Sequence, residues 1–185
     1  MEINELKKEC RKETRQRVAS LSEAKRAEKS FLACMNVIRT QEFKNAKTIL
    51  LYKPMKNECD PTLIASAANE LKKTIAYPIC TDNFGLKALT PKDDMAFLKG
   101  AYGIWEPKVE DAQEVNAEDI DLVIVPGVAF DENMGRLGRG AGYYDRFLVK
   151  CKNAVKIGFA FKEQVMKSVP ISKDDIKMDK IVSDI

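Results

Sequence analysis

The sequence predicts an α/β fold with a mainly parallel sheet, and three observations carry that expectation. Short apolar runs alternate with amphipathic stretches along the chain, as strands and crossover helices do. The strongest run, Leu122-Val123-Ile124-Val125, is apolar at consecutive positions, the pattern of a strand buried on both faces. The chain has 185 residues, 45% hydrophobic and 32% charged, enough to bury a core as one globular domain spanning 1–185.

Residues 2–19 read as a first helix, with Ile3, Leu6, Cys10 and Val18 on one side. Residues 22–39 read as a second. Ser22 is its candidate N-cap, and Ala24, Ala27, Phe31, Met35 and Ile38 recur at helical spacing. Thr48-Ile49-Leu50-Leu51-Tyr52 reads as a buried strand. Asp60-Pro61 starts a third helix: an Asp cap, then a proline whose missing N–H costs nothing there. That helix is expected to run to about Lys72, burying Leu63, Ile64, Ala67 and Leu71. Thr74-Ile75-Ala76-Tyr77 is the next strand. Between Asp82 and Glu118 the pattern weakens, with a strand over 84–89 and a loop over 100–107. After the strand at 121–125 comes a glycine-rich loop. A helix over 140–151 follows, with Tyr144, Phe147, Leu148 and Cys151 on one face, and then a strand at Val155-Lys156-Ile157-Gly158-Phe159. Ligands of such sheets sit beyond the carboxyl ends of the strands, which singles out the segment after Val125.

Composition narrows the chemistry. There is no histidine, so Ser/His and Cys/His nucleophile pairs, His-ligated zinc and any imidazole acid or base are excluded. The five cysteines are odd in number and widely spaced, with no Cys-x-x-Cys; they read as free thiols of a reducing compartment. No apolar run approaches the about 20 residues of a membrane helix. The start, Met1-Glu2-Ile3-Asn4-Glu5, has no apolar signal core, so a cytoplasmic protein is expected. A net charge of +3 suits anionic small molecules better than nucleic acid.

Residues 126–146 carry the chemistry. Gly135, Gly138, Gly140 and Gly142 are interleaved with Arg136 and Arg139. Glycines let the backbone approach a ligand and turn its N–H groups inward, and arginines supply forked donors that match phosphate oxygens. A following helix would add its positive end. This is a polyphosphate cradle, but neither a P-loop, since Ala141-Gly142-Tyr143 lacks Gly-Lys-Ser/Thr, nor a Gly-x-Gly-x-x-Gly fingerprint, since Tyr143 holds the third glycine position. A flexible loop with solvated arginines is the plain alternative.

Arg136-Leu137-Gly138-Arg139-Gly140-Ala141-Gly142-Tyr143-Tyr144-Asp145-Arg146, preceded by Pro126-Gly127-Val128-Ala129-Phe130-Asp131, resembles the signature of the 5-formyltetrahydrofolate cyclo-ligase family. Lys7 and Arg11, Glu58 before Asp60-Pro61-Thr62, Gly103-Ile104-Trp105-Glu106-Pro107, Phe161-Lys162-Glu163-Gln164, Val169-Pro170, Asp175 and Ile181-Val182-Ser183-Asp184 resemble other parts of the family in order. The resemblance implies a three-layer, Rossmann-like α/β fold. It implies ATP-dependent cyclisation of 5-formyltetrahydrofolate to 5,10-methenyltetrahydrofolate, with ATP as co-substrate, magnesium as cofactor, and ADP and phosphate released. Such a reaction needs positioning and charge neutralisation, so a chain without histidine can perform it.

Carried over by position, the resemblance assigns ATP binding to Lys7, Arg11 and Arg136, Leu137, Gly138, Arg139, Gly140, Ala141, Gly142, Tyr143 and Tyr144. Arg139, Gly140, Ala141, Gly142 and Tyr143 also meet the folate, with Arg139 and Tyr143 as the catalytic pair; Glu58 and Tyr102 complete the substrate contacts. Asp145 and Asp175 are the magnesium carboxylates. Each has a plainer reading. Lys7, Arg11 and Arg15 fit a solvated helix face, Glu58 a surface carboxylate, Asp145 dipole compensation and Asp175 a solvated loop, while Trp105 can stack on a pterin or sit in the core. Lys53 falls at a substrate-contact position where the family tends to be apolar or small, and takes no role. Two departures stand out: Met134 where the family usually has glycine, and Ala141 where it has lysine or glycine. A monomer acting on small molecules, with no nucleic acid or membrane partner, is expected. The rivals are a non-catalytic folate- or nucleotide-binding regulator of the same fold, and a basic-helix nucleic-acid module over 5–17. Glu5, Glu9 and Glu13 oppose the second.

Overall fold

The structure, a computed structural model, describes residues 2–82, 84–93, 96–100 and 103–185. In chain order its elements are α1 (Ile3–Ala19), α2 (Glu23–Arg39), α3 (Gln41–Asn45), β1 (Thr48–Leu50), α4 (Thr62–Glu70), β2 (Thr74–Cys80) and β3 (Leu86–Pro91). There follow β4 (Phe97–Lys99), β5 (Trp105–Pro107), β6 (Ala112–Val115), β7 (Leu122–Val125), β8 (Ala129–Asp131) and β9 (Arg136–Leu137). The chain ends with α5 (Tyr143–Leu148), β10 (Val155–Phe159), β11 (Val165–Met166) and β12 (Lys180–Val182).

Seven strands form the main sheet in the order β12-β10-β7-β1-β2-β3-β6. The pairings from β12 through β2 are all parallel, and β3 pairs antiparallel with both β2 and β6, so β3 alone runs against the others. The apolar runs alternate between two cores because successive residues of a strand face opposite sides. Ile49, Ile75, Leu122, Ile124, Ile157 and Phe159 pack with Val37 of α2 and Ile64 and Ala68 of α4. Leu50, Ala76, Val123 and Val125 pack with Phe147 and Leu148 of α5. Helices on both faces of a parallel sheet give the three layers expected.

Several local expectations are corrected. Helix α2 begins as read, with Ser22 Oγ accepting from Lys25 N at 3.2 Å, but it buries another face. Ala24, Ala27 and Phe31 are exposed, while Lys29, Ser30, Ala33, Cys34 and Val37 turn inward. Both polar members of that face are satisfied: Ser30 Oγ accepts from Asp60 N, and Lys29 pairs with Asp184 and Glu163. Such partners allow a polar residue to be buried, so counting apolar positions picks the wrong stripe. In α1, Cys10 and Val18 are buried as expected, whereas Ile3 and Leu6 are exposed. In α4, Ile64 and Ala68 are buried and Leu71 is exposed. The expected start is displaced by one residue: α4 begins at Thr62 with Pro61, not Asp60, in the N-cap position, although Asp60 Oδ1 accepts from Thr62 N at 2.9 Å just ahead of it.

The segment over 100–107 is not all loop: β5 pairs antiparallel with β4, with Lys99 opposite Trp105. The long loop after β7 contains two strands. β8 pairs antiparallel with β9 and parallel with β11, forming a small sheet. The helix expected over 140–151 is only six residues long. Gly140 and Gly142, with φ of +117° and +71°, prevent an earlier start. After Leu148 the chain turns through bonds of 3₁₀ spacing, Lys150 N to Phe147 O and Cys151 N to Leu148 O.

Candidate active site

β1 lies between β7 and β2, so the chain leaves it in one direction and later returns on its other side. A crevice opens at such a reversal, beyond the strand ends. The loop after β1 carries Glu58, and the loop after β7 carries the glycine–arginine segment. Between them lies a cavity of about 620 Å³. Of the site residues expected from sequence, all but one line it: Lys7, Arg11, Glu58, 136–144, Asp145 and Asp175. The exception, Tyr102, lies outside the described residues. Trp105, whose role was open, also lines the cavity and is half exposed, so it is not a core residue.

Helix α1 reaches the cavity because Cys10 packs with Ala129 and Leu137 of the small sheet and with Val169 in the loop after β11. One turn either side of this anchor differs in fate. Arg11 Nε donates to Gly138 O at 2.8 Å, and Lys7 Nζ donates to Ser172 Oγ at 2.8 Å and pairs with Asp175. Arg15 stays exposed outside the cavity.

Arg136 is buried beneath the glycine loop. Its Nε donates to Pro126 O at 3.0 Å, its Nη1 to Asp145 Oδ1 at 3.1 Å, and its guanidinium lies 5.3 Å over the Tyr144 ring. Burial pulls its pKa below the ordinary arginine value, against the attraction of Asp145. It remains a fixed cation at the floor of the site.

Arg139 is half exposed and spans the crevice to Glu58. Nη2 and Nε both donate to Glu58 Oε1, at 2.8 and 3.2 Å, while Oε2 accepts from Met55 N at 2.8 Å. The residues expected to face the nucleotide and the folate are thus joined across the cavity. Gly142 permits close packing as well as a left-handed turn: a Cβ there would lie 2.7 Å from Arg146 Nη1.

Arg146 does not line the cavity but positions the glycine loop, a role that the sequence reading did not give it. Its Nε and Nη2 donate to Phe84 O at 2.9 and 2.6 Å, and Nη2 also donates to Ala141 O at 2.7 Å. It ties the glycine loop to the turn before β3. Glu106, named only within the family element, accepts from Cys80 N at 3.0 Å.

Asp145 Oδ1 also accepts from Ile176 N at 3.2 Å, and Asp175 Oδ2 from Ser172 N and Oγ at 2.6 and 2.9 Å. Burial raises the Asp175 pKa, but Lys7 and Ser172 outweigh it, and the net shift is downward. Among the described residues, Asp145 Oδ2 and Asp175 Oδ1 accept no hydrogen bond, and no group of three His, Cys, Asp or Glu is placed to hold a metal. Two carboxylates, each with an open oxygen and both lining the same cavity, fit a magnesium ion that takes its other ligands from phosphates and water. The cavity's thiol, Cys80, is pushed up to about 11 by burial and by Glu106, so it is neutral at pH 7 and unsuited to nucleophilic attack.

A model of the 5-formyltetrahydrofolate cyclo-ligase family matches residues 3–184. The chain belongs to this enzyme family. It is 29% identical over 191 residues to the 5-formyltetrahydrofolate cyclo-ligase of Mus musculus, covering 97% of this chain and 94% of the mouse protein. It is 31% identical over 169 residues to the probable 5-formyltetrahydrofolate cyclo-ligase of Schizosaccharomyces pombe, covering 83% of each. The solved structure of Aquifex aeolicus 5,10-methenyltetrahydrofolate synthetase superposes with a TM-score of 0.83 at 35% identity, over 100% of this chain and 90% of that one.

At Met134, where the resemblance led to glycine being expected, the structure gives the consequence. Met134 has φ +66°, the left-handed conformation that glycine adopts freely. The turn is held by its surroundings: Asp131 Oδ1 accepts from Asn133 N and Gly135 N at 2.9 and 2.8 Å, and Asp131 Oδ2 from Val169 N at 2.7 Å. Met134→Gly is expected to leave stability within about 1 kcal/mol of the parent, since relief of strain offsets lost packing. Met134→Val, β-branched at a positive φ, is expected to lose more than about 2 kcal/mol. Urea midpoints measure both, and a valine variant as stable as the parent would mean the turn is not held left-handed. The other departure, Ala141, leaves its side chain exposed and offers its carbonyl to Arg146.

Proposed function

We propose that this cyclo-ligase family member is a single-domain, monomeric, cytoplasmic enzyme. It converts 5-formyltetrahydrofolate and ATP to 5,10-methenyltetrahydrofolate, ADP and phosphate. One observation carries the reading: the glycine–arginine cradle and Glu58 face a single cavity, and Arg139 connects them. A phosphoryl donor on one side and a folate on the other would meet at Arg139. Five unpaired cysteines suit a reducing cytoplasm, and no helix among the described residues is long and apolar enough to cross a membrane. The mild charge gives no reason to add a nucleic-acid partner.

In this reading Lys7, Arg11, Arg136 and the backbone from Leu137 to Tyr144 hold the ATP phosphates. Glu58 accepts from the amino and N–H edge of the pterin, a task suited to a carboxylate. Asp145 and Asp175 hold magnesium, which when bound neutralises phosphate charge. The formyl oxygen attacks the γ-phosphorus, and ADP leaves. The folate N10 then attacks the activated formyl carbon and gives up its proton, and the formyl oxygen departs within phosphate. Arg139 places its fork where charge develops on the moving phosphoryl group, and Tyr143 closes the same wall. No step requires a histidine.

Phosphate release is expected to depend on 5-formyltetrahydrofolate, because nothing in the site supplies an imidazole base to activate water. With ATP and magnesium, the long-wavelength absorbance of the methenyl product should rise only when ATP and folate are both present. Release of phosphate at full rate without folate would replace this reading by a plain ATPase. Folate binding without turnover would favour the non-catalytic regulator.

A further inference from the structure

The basic side chains lining the cavity differ in one respect. Lys7, Arg11, Arg136 and Arg139 each donate to a protein acceptor, namely Asp175 and Ser172, Gly138 O, Asp145 and Pro126 O, and Glu58. Lys53 also lines the cavity, yet among the described residues it has no hydrogen-bond acceptor and no carboxylate within ion-pair distance. Its ammonium is held instead by two rings, 4.3 Å from the centre of Phe97 and 5.0 Å from that of Tyr77. The rings themselves meet edge to face at 5.1 Å. Such an arrangement attracts and fixes a cation without neutralising it. Its charge is therefore available to an anionic group.

The position of that charge suggests which group. Lys53 lies just beyond β1, on the Glu58 side of the crevice, whereas Lys7 and Arg136 pair with Asp175 and Asp145, and Arg139 is committed to Glu58. Phe97 and Lys99 are two apart on β4 and share a face, and Trp105 stands opposite Lys99, with that ammonium 5.8 Å from its ring centre. Rings and cations thus alternate along one face of the β4–β5 hairpin, starting at the cavity. In 5-formyltetrahydrofolate the pterin is followed by an aromatic benzoyl ring and then by a glutamate with two carboxylates. ATP's negative charge belongs to the cradle, so the folate's remaining negative charge is on that tail.

We propose that Lys53 is the counter-ion for the glutamate carboxylates of the folate substrate and sets this enzyme's preference for an acidic tail. The inference rests on the cyclo-ligase reading above.

The test compares two substrates in the purified full-length chain with ATP and magnesium: 5-formyltetrahydrofolate, and the analogue whose glutamate is replaced by a neutral butylamide. Lys53→Met is expected to raise the KM for the acidic substrate about tenfold and to leave the KM for ATP within about twofold. Lys53→Arg, which keeps the charge and the ring contact, should stay within about threefold of the parent. For the neutral analogue, the parent and Lys53→Met should have equal KM. A Lys53→Met enzyme whose KM for the acidic substrate is unchanged overturns the proposal. So does an equal rise for both substrates, which would assign Lys53 to ring packing. If the parent fails to cyclise 5-formyltetrahydrofolate at all, the cyclo-ligase reading falls first and this proposal with it.

Discussion

Arg139→Ala is expected to lower turnover roughly 30- to 1,000-fold, the loss of about 2–4 kcal/mol of transition-state stabilisation by a forked cation at a transferring phosphoryl group. Stability should change little. The Arg139 side chain is 47% exposed, which limits the contribution of the pair to about 1 kcal/mol, and Glu58, though 11% exposed, keeps its bond from Met55 N. The two outcomes together make the experiment informative: a stable protein that no longer turns over. The measurements are the methenyl absorbance rate at saturating ATP and folate and a urea midpoint. Activity within threefold of the parent would remove Arg139 from the chemistry. A large fall in both would mean that the Glu58 pair is structural.

The second large effect is on stability. Lys29→Met is expected to destabilise the fold by about 3–5 kcal/mol, because it leaves buried carboxylates without their cation. Lys29 Nζ is 2.6 Å from Asp184 Oδ2 and 3.1 Å from Glu163 Oε1, and the Asp184 side chain is only 4% exposed. The buried Glu163 Oε2 has no hydrogen-bond partner, and only Lys162 N, which donates to Asp184 Oδ1 at 2.7 Å, would remain to compensate. The pH dependence has a definite sign. Burial lowers the Lys29 pKa, but the two carboxylates outweigh it and the net shift is upward from 10.5. Its contribution is therefore complete below pH 10.5 and lost as pH rises through the higher folded value. Urea midpoints at rising alkaline pH should converge for parent and variant. A variant that matches the parent at pH 7 would show that the triad contributes nothing.

Lys29 also marks where sequence reasoning stopped. Strands β1, β2, β7 and β10 were legible because strands buried on both faces are apolar at nearly every position. The cradle was legible because its glycines, arginines, tyrosines and Asp145 are contiguous in sequence. The buried face of α2 was hidden because Lys29 and Ser30 owe their burial to Asp184, Glu163 and Asp60, partners distant in sequence. Strands β4, β5, β8, β9, β11 and β12 have two or three residues each, too few to display a period of two. The Glu58–Arg139 bridge joins residues 81 positions apart, and no local pattern announces it. Arg146 was overlooked because its partners are carbonyls, which are present at every position and so leave no trace in composition.

The Lys7–Asp175 pair closes a loop of 168 residues. Lys29 reaches Asp184 and Glu42 reaches Lys180 in the same way, so the first two helices and α3 are each fastened to the last stretch of the chain. Loop closure grows only logarithmically with length, about 0.6 kcal/mol for each doubling, so these fasteners cost the finished protein little. Their effect is on timing. On the ribosome the glycine cradle and Glu58 emerge well before Asp175, and contacts of such separation form late in folding. The phosphate end of the crevice is therefore expected to be completed only after Asp175 has joined Lys7. Removal of either terminus is expected to loosen the site that the loop serves, because Lys7 and Asp175 each lose the other's charge.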